Sequence, residues 1–170
     1  LLDNNQDITL GELASELDIA KGTIYKHFKS KNQLYLELII LNERRLLDIS
    51  QKNQNNIKSY VSQYMLYNML NSNRTILLHA IEERLTNNER RLKDLFEELY
   101  QVREQRILSI KDMTGDYLKS LNSAMSIRDY LSYIWTVTYG ASLLLNSTHY
   151  QKAIGSRERL IKLYINQALM

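Results

Sequence analysis

The sequence predicts an all-helical protein, and three observations support this class. Proline is absent and glycine occurs only 5 times in 170 residues, so few positions interrupt a helix. Apolar residues recur at helical spacing along most of the chain. Three segments begin with Ser or Thr and have Glu, Gln or Asp three residues later, a pattern typical of a helix start; they begin at Thr9, Ser30 and Ser126.

The first two predicted helices are short and close together. The first follows Thr9, and its apolar face holds Leu10, Leu13, Ala14 and Leu17. Asp18 is expected in the turn, because Asp tolerates turn conformations, and Ile19 is expected to anchor that turn in the core. A second helix is predicted over Lys21–Phe28, with Ile24 on its buried side.

Longer helices are predicted in the rest of the chain. One begins after Ser30 and runs to about Ser50, and the polar segment Gln51–Asn56 is expected to be a loop. Further helices are predicted over residues 57–70 and 75–85, from residue 87 or 88 through 117, and over residues 126–145 and 155–169.

Composition excludes several classes of site. Cysteine is absent, which rules out disulfides, thiolate zinc sites and cysteine nucleophiles and suits a reducing compartment. The longest uncharged run, Tyr130–Leu145, is too short and too rich in Ser, Thr and Tyr to predict a membrane span. We therefore expect a cytoplasmic protein with no membrane partner, in which this run forms a buried or dimer-facing helix.

A cationic block coincides with the second predicted helix. Lys21, Lys26, Lys29 and Lys31 fall in a stretch without an acidic residue, although the whole chain carries a net charge of only +3. Ala14 is small where two helices would meet, Asp18 lies at the turn, and Ile24 is apolar on the second helix. This spacing fits a helix-turn-helix, whose second helix enters a DNA groove.

The same stretch resembles the TetR family of bacterial transcriptional regulators. The similarity covers Ile8-Thr9, Glu12-Leu13-Ala14 and the run Ile19–Lys31, and it is strong over residues 1 to about 47. Three features depart from the family pattern: Gly11 and Glu12 stand where relatives can be basic, and Asp18 replaces a frequent turn glycine. Leu1 and Leu2 resemble the last turn of the family's first helix, most of which would precede this sequence.

The resemblance implies a role in DNA binding for eight residues. Three match the start of the recognition helix, which contacts bases and phosphates: Lys21, Gly22 and Thr23. Tyr25 and His27 match phosphate-contacting positions, and Lys26 matches a variable position that contributes to sequence choice. Thr9 and Lys31 match residues that contact the DNA backbone.

The resemblance also implies two domains and three kinds of partner. Residues 1–47 would form the DNA-binding bundle, and residues 48–170 a helical domain for ligand binding and dimerisation. The expected partners are a palindromic double-stranded DNA operator, a second copy of the chain and a small-molecule effector. Repression relieved by the effector is the usual mode of action in this family, and activation is the alternative.

The aromatic residues predict an effector pocket independently of the resemblance. Many of the 12 tyrosines fall on the middle helices, and tyrosine combines an apolar ring with a polar hydroxyl. The residues predicted to line the pocket are Tyr60, Tyr64, Met65, Phe96, Tyr100 and Trp135. The alternative is that these side chains belong to the core or to an interface.

Two stripes near the carboxyl end predict a dimer interface. The first holds Ile134, Thr138, Ala141 and Leu145, and the second holds Leu160, Tyr164 and Ala168. Two such helices from each subunit would form a four-helix bundle. The alternative is that the stripes pack within one chain.

Other classes of function receive less support. None of the 3 histidines lies in an H-E-x-x-H or nucleophile-elbow motif, and no glycine-rich phosphate loop is present, so we expect neither an enzyme nor a cofactor. His79 with Glu82 and Glu83 leaves a metal-dependent helical enzyme as a remote alternative. The main alternative is an all-helical protein–protein interaction module that does not bind DNA specifically.

Overall fold

A computed structural model describes residues 9–88 and 90–169, and this part of the chain contains helices and no strand. In chain order the helices are α1 (Leu10–Glu16), α2 (Lys21–His27), α3 (Lys31–Lys52), α4 (Ile57–Leu70), α5 (Ser72–Asn88), α6 (Lys93–Ser120), α7 (Ile127–Asn146), α8 (Thr148–Ile154) and α9 (Arg157–Ala168). The predicted all-helical class is confirmed. Leu1, Leu2 and Ile8, which form part of the resemblance, lie outside the described residues.

Helices α1 and α2 pack with the start of α3 into a small bundle. Its buried centre consists of Leu10, Ala14 and Ile24, and Leu13, Phe28 and Leu34 pack around it. Asp18 adopts a positive φ of 51°, a conformation that Asp tolerates better than most residues, so the chain turns sharply between α1 and α2.

The prediction that Ile19 anchors this turn in the core was wrong. Its side chain is 40% exposed, although Ile19 does hold the turn in place through its backbone N–H, which donates to the Ala14 carbonyl at 3.0 Å. Ile24 of α2 completes the small buried cluster with Leu10 and Ala14. The Ile19 side chain, which follows the turn at Asp18, is not part of that cluster.

Helix α3 connects the amino-terminal bundle to the rest of the chain. Leu34 packs in that bundle, Ile39 and Ile40 lie in a second apolar cluster with α5 and α6, and Leu46 belongs to a third cluster. The helix runs without interruption past residue 47, the expected domain boundary, and packs along α6. A single rigid element therefore belongs to both parts of the molecule.

The third cluster is the largest and is formed mainly by α4, α6, α7 and α9. It contains most members of the two stripes that were expected at a dimer interface: Ile134, Ala141, Leu145, Leu160 and Ala168 are buried there, and Tyr164 packs against them. Thr138 is buried as well, and its hydroxyl donates to the Ile134 carbonyl at 2.6 Å. These stripes face the chain's own core, because α4 and α6 cover them, and they leave little surface for a second subunit.

Several helix boundaries differ from the predicted ones. Helix α3 continues through Lys52, and the loop is shorter than expected because the Asn53 amide donates to the Ile49 carbonyl at 2.8 Å and so closes the helix end. Helix α5 begins at Ser72 and α6 at Lys93, after a 3-10 turn at Arg90–Leu92. Helix α8 was not predicted, because its few apolar residues give no periodic pattern.

Within residues 9–88 and 90–169, no helix combines the length and the apolar character that crossing a membrane requires.

Candidate nucleic-acid interface and interior cavities

Helix α2 buries one side chain and exposes the others. Ile24 lies in the small cluster, whereas six of the residues predicted to bind DNA are exposed along the rest of the helix: Lys21, Gly22, Thr23, Tyr25, Lys26 and His27. A single buried position is enough to hold a seven-residue helix against α1 while its other faces stay available to a partner.

The two helices of the motif are in contact beside Gly11. A Cβ atom added at Gly11 would lie 3.4 Å from Cε of Lys21, so the lysine stem passes directly over the glycine. The absence of a side chain at Gly11 gives Lys21 this position. Gly11 thus has no side chain where relatives can have a basic one, and the positive charge beside it comes from Lys21 of α2.

Thr9 serves as the N-cap of α1. Its hydroxyl oxygen accepts from the Glu12 N–H at 3.2 Å, and the Thr9 N–H donates to a Glu12 carboxylate oxygen at 2.7 Å. The exposed hydroxyl still carries a proton that it can donate to a phosphate oxygen. Glu12 is occupied in this capping box, which keeps its negative charge at the start of α1.

The segment after α2 is also fixed by capping. Ser30 accepts from the Gln33 N–H at 3.1 Å, and the Gln33 side chain accepts from the Lys29 N–H at 2.9 Å. The ammonium group of Lys31 lies 5.3 Å from the centre of the Tyr35 ring, a cation–π contact that orients it. The stretch from Lys21 to Lys31 contains no acidic residue of its own, so it is a cationic segment of the chain.

The helices that follow the amino-terminal bundle border a cavity with charged side chains in its wall. This cavity of about 330 Å³ is bordered by α3, α4, α5, α6 and α7, and its wall includes the buried carboxylate of Glu43. Nε of Arg103 lies 3.2 Å from one Glu43 oxygen, and Nε of Arg106 lies 3.4 Å from the other. Arg103 also donates to both oxygens of Glu82, at 2.6 and 2.7 Å. Two carboxylates are thus balanced by two guanidinium groups.

Arg106 lies at the centre of this polar group. Its Nη1 donates to the Tyr60 hydroxyl at 3.3 Å, and its guanidinium carbon lies 5.6 Å from the centre of the Tyr64 ring. Burial opposes its charge, but Glu43 raises the pKa of the guanidinium above its ordinary value. Burial also raises the pKa of both tyrosines, so their hydroxyls remain neutral. Nε of Arg106 has no hydrogen-bond partner among the described residues.

An aromatic group forms another part of the same cavity wall. The rings of Trp135 and Tyr139 are parallel to within 3°, with centres 5.7 Å apart. The His79 ring meets them edge-on, at 5.8 Å and 4.8 Å. Glu82 is held by Arg103 and not by His79, and no group of three or more His, Asp or Glu residues suited to a metal ion occurs in the described part of the chain.

A second and larger cavity, of about 700 Å³, lies between α4, α6 and α7. It shares Tyr64, Arg106 and Trp135 with the first cavity, so the two spaces meet at these side chains. Isoleucine and leucine make up half of its remaining wall, and the other half is polar, charged or tyrosine.

The structure brings together half of the residues predicted to line an effector pocket. Tyr60, Tyr64 and Trp135 border the two cavities, whereas Met65 is buried in the third cluster. Phe96 is buried in the second cluster, and Tyr100 is half exposed with its ring 6.1 Å from that of Phe96. Sequence analysis missed Glu43, His79, Arg103, Arg106 and Tyr139. Arg103 and Arg106 are three residues apart on one helix, beside Val102 and Ile107. This spacing was the sequence feature that could have indicated a buried polar group.

Comparison with known proteins finds similarity to bacterial transcriptional regulators. Residues 6–38 match the sequence profile described as "Bacterial regulatory proteins, tetR family". The chain is 34% identical over 62 residues to the HTH-type transcriptional regulator QacR of Staphylococcus aureus, a match that covers 36% of this chain and 33% of that protein. It is 31% identical over 84 residues to the HTH-type transcriptional regulator AcrR of Shigella flexneri, covering 49% and 35% respectively.

Both matches therefore span about a third of the length of these regulators. The matched family segment contains α1, α2 and the first turns of α3, the part of the molecule that carries the cationic block. The two cavities are formed largely by residues beyond that segment.

Proposed function

We propose that this chain, whose residues 6–38 match the profile of the tetR family of bacterial regulatory proteins, is a dimeric repressor that binds operator DNA and releases it when a small effector occupies the cavities. The observation that carries the proposal is the exposure of α2, whose cations and hydroxyl surround a single buried residue, Ile24. Matched relatives named as transcriptional regulators support it.

DNA recognition would use α2 in the major groove. Lys21, Thr23 and Lys26 can reach base edges or adjacent phosphates, while Tyr25 and His27 bind phosphate oxygens. Thr9 and Lys31 lie at the starts of α1 and α3, so they would contact the backbone on either side of the groove. Gly22 is open to solvent, which allows the DNA backbone to approach α2 closely.

Dimerisation would use the outer faces of α7 and α9. Leu143 on α7 and Leu163 on α9 are each 46% exposed, and a Cβ atom added at Gly140 would meet open space. Because one seven-residue helix reads few bases, two copies of α2 held about 34–36 Å apart are needed to select a site. The buried stripes of α7 and α9 pack in the third cluster and so fix the positions of these two helices.

Control would pass along α3. This helix carries Leu34 in the DNA-binding bundle and Glu43 in the wall of the cavity, where it pairs with Arg106. An effector that binds Arg106 would weaken this pair and favour a different position of α3, and hence a different spacing of the two recognition helices. That spacing would no longer match successive major grooves.

Selection of binding sites from a random pool of duplex DNA tests the proposal. We expect enrichment of an inverted repeat whose half-sites lie about one helical turn apart. Affinity should fall steeply as salt rises, because each phosphate contact releases counterions. Recovery of no sequence, with equal binding to all duplexes or none, would instead favour the alternative of a protein–protein interaction module.

The proposed interface predicts the outcome of a charge substitution. Leu143→Arg should shift the protein from dimer to monomer at micromolar concentration, because a buried leucine contributes roughly 1.5–3 kcal/mol and the arginine must be desolvated. Sedimentation equilibrium measures the shift. The matched control is Leu108→Arg, an equally drastic change at an exposed leucine of α6. If the unmodified protein is a monomer, or both variants remain dimers, this interface is rejected.

A further inference from the structure

The larger cavity has a one-sided charge distribution. Three cationic side chains border it, Arg106, Lys111 and Arg128, and no carboxylate does. Asp112 and Asp129 follow two of these cations in sequence but lie outside the lining, and Asp129 accepts from the Ser126 hydroxyl at 2.6 Å. The overall charge of the chain does not explain this, because 22 basic residues are nearly balanced by 19 acidic ones.

Apart from the cations, the wall of this cavity is mainly apolar or aromatic, with Ser132 and Thr136 as its hydroxyl-bearing aliphatic residues. Its α6 side includes Ile107 and Ile110, and its α7 side includes Ile127, Leu131 and Ile134. A space of about 700 Å³ can hold an organic molecule of ordinary effector size, and it is open to solvent on one side, because Ile107 and Trp135 in its wall are 47% and 49% exposed. Apolar walls favour a ligand whose body is also apolar, since its burial removes hydrocarbon surface from water.

Arg106 provides a buried contact for a charged group. Its side chain is 14% exposed, and its Nε lies 3.4 Å from a Glu43 oxygen without forming a hydrogen bond to it. Nearby, Tyr60 contributes a hydroxyl that the raised pKa keeps protonated. An acceptor with negative charge would therefore find an arginine at the inner end of the cavity and two exposed cations, Lys111 and Arg128, elsewhere on its wall.

We propose that the effector is an amphipathic anion, with an apolar body between α6 and α7 and a carboxylate or sulfonate group bound by the cations of this cavity. The proposal depends on the proposed function, because it takes the cavity to be the effector site. A cationic ligand would meet repulsion from Lys111 and Arg128, whereas the charge of Arg106 is balanced by Glu43. The carboxylates Glu43 and Glu82 belong to the adjoining cavity, where arginines already hold them.

Two fluorescent probes of nearly the same shape test the charge preference. Anilinonaphthalenesulfonate carries a sulfonate, and N-phenylnaphthylamine has a similar aromatic body without charge. We expect saturable binding of both to the full chain, with the anion bound roughly tenfold more tightly, an effect of the size that a few partly exposed cations produce. Equal affinities, or tighter binding of the neutral probe, would overturn the proposal.

Substitution of the exposed cations assigns the preference to this cavity. The double variant Lys111→Gln with Arg128→Gln should lose most of the roughly tenfold preference while its affinity for the neutral probe stays the same. The matched control is Lys119→Gln with Lys152→Gln, which removes the same charge from exposed positions outside the lining. If the control loses as much affinity as the test variant, the anion binds elsewhere and the assignment is wrong.

DNA binding by the same samples separates the two proposals. Operator binding that responds to neither probe, together with equal probe affinities, would reject the anionic effector and leave the regulator intact. Selective binding of the anion at this cavity by a protein that binds no DNA would reject the regulator but retain the anion site. The proposal as a whole is supported if the anion weakens operator binding and the neutral probe does so only at higher concentration.

Discussion

Replacing both Lys21 and Lys26 with alanine is expected to lower operator affinity by roughly a hundredfold or more at physiological salt. The change removes two cations from each subunit and four from a dimer, and each contributes phosphate or base contacts. The dependence of the logarithm of affinity on the logarithm of salt concentration should become shallower by up to about 3–4, since each lost phosphate contact removes about 0.9 from the slope. Fluorescence anisotropy with a labelled operator over a salt series measures both quantities.

The matched control is Lys52→Ala with Lys119→Ala. Both lysines are exposed, each pairs with a carboxylate on its own helix, and neither lies near α2 in sequence, so the net charge falls equally. We expect a small loss of affinity and an unchanged choice of sequence. If the control variant loses as much affinity as the α2 variant, DNA binding depends on overall charge alone, and the assignment of α2 as the recognition helix fails.

Replacing Glu43 with alanine is expected to lower the free energy of unfolding by about 3–5 kcal/mol, the usual cost of removing one partner from a buried ion pair. Glu43 is 7% exposed and stands within 3.4 Å of Nε of both Arg103 and Arg106. Arg103 would keep Glu82, but Arg106 would retain the neutral Tyr60 hydroxyl and Tyr64 ring in place of a carboxylate. Urea unfolding followed by circular dichroism measures the loss as a lower midpoint with an unchanged slope.

Two comparisons separate this effect from loss of charge in general. Glu158→Ala removes an exposed carboxylate that pairs with Lys162 on the same helix, and it should leave the unfolding midpoint unchanged. The double variant Glu43→Leu with Arg106→Leu should be more stable than Glu43→Ala, because no buried charge is left without a partner. A double variant that is less stable than the single one would contradict the assignment of Glu43 as the partner of Arg106.

The sequence by itself determined the features that depend on neighbours within one or two helical turns. The capping residues Thr9 and Ser30, the turn at Asp18 and the buried position of Ile24 could all be predicted, because each acts through backbone or side-chain contacts a few residues away. The cationic face of α2 could be predicted for the same reason, since one buried residue in a short helix leaves the other side chains outside.

The tertiary structure alone decided how distant helices meet. A periodic stripe indicates that one helix face is buried, but it does not say which surface covers that face. In this structure the stripe of α7 packs on the chain's own α4 and α6. Likewise, Glu43 and Arg106 lie on different helices far apart in sequence, so no local pattern could have paired them, and the two cavities exist only because α3, α4, α5, α6 and α7 enclose them.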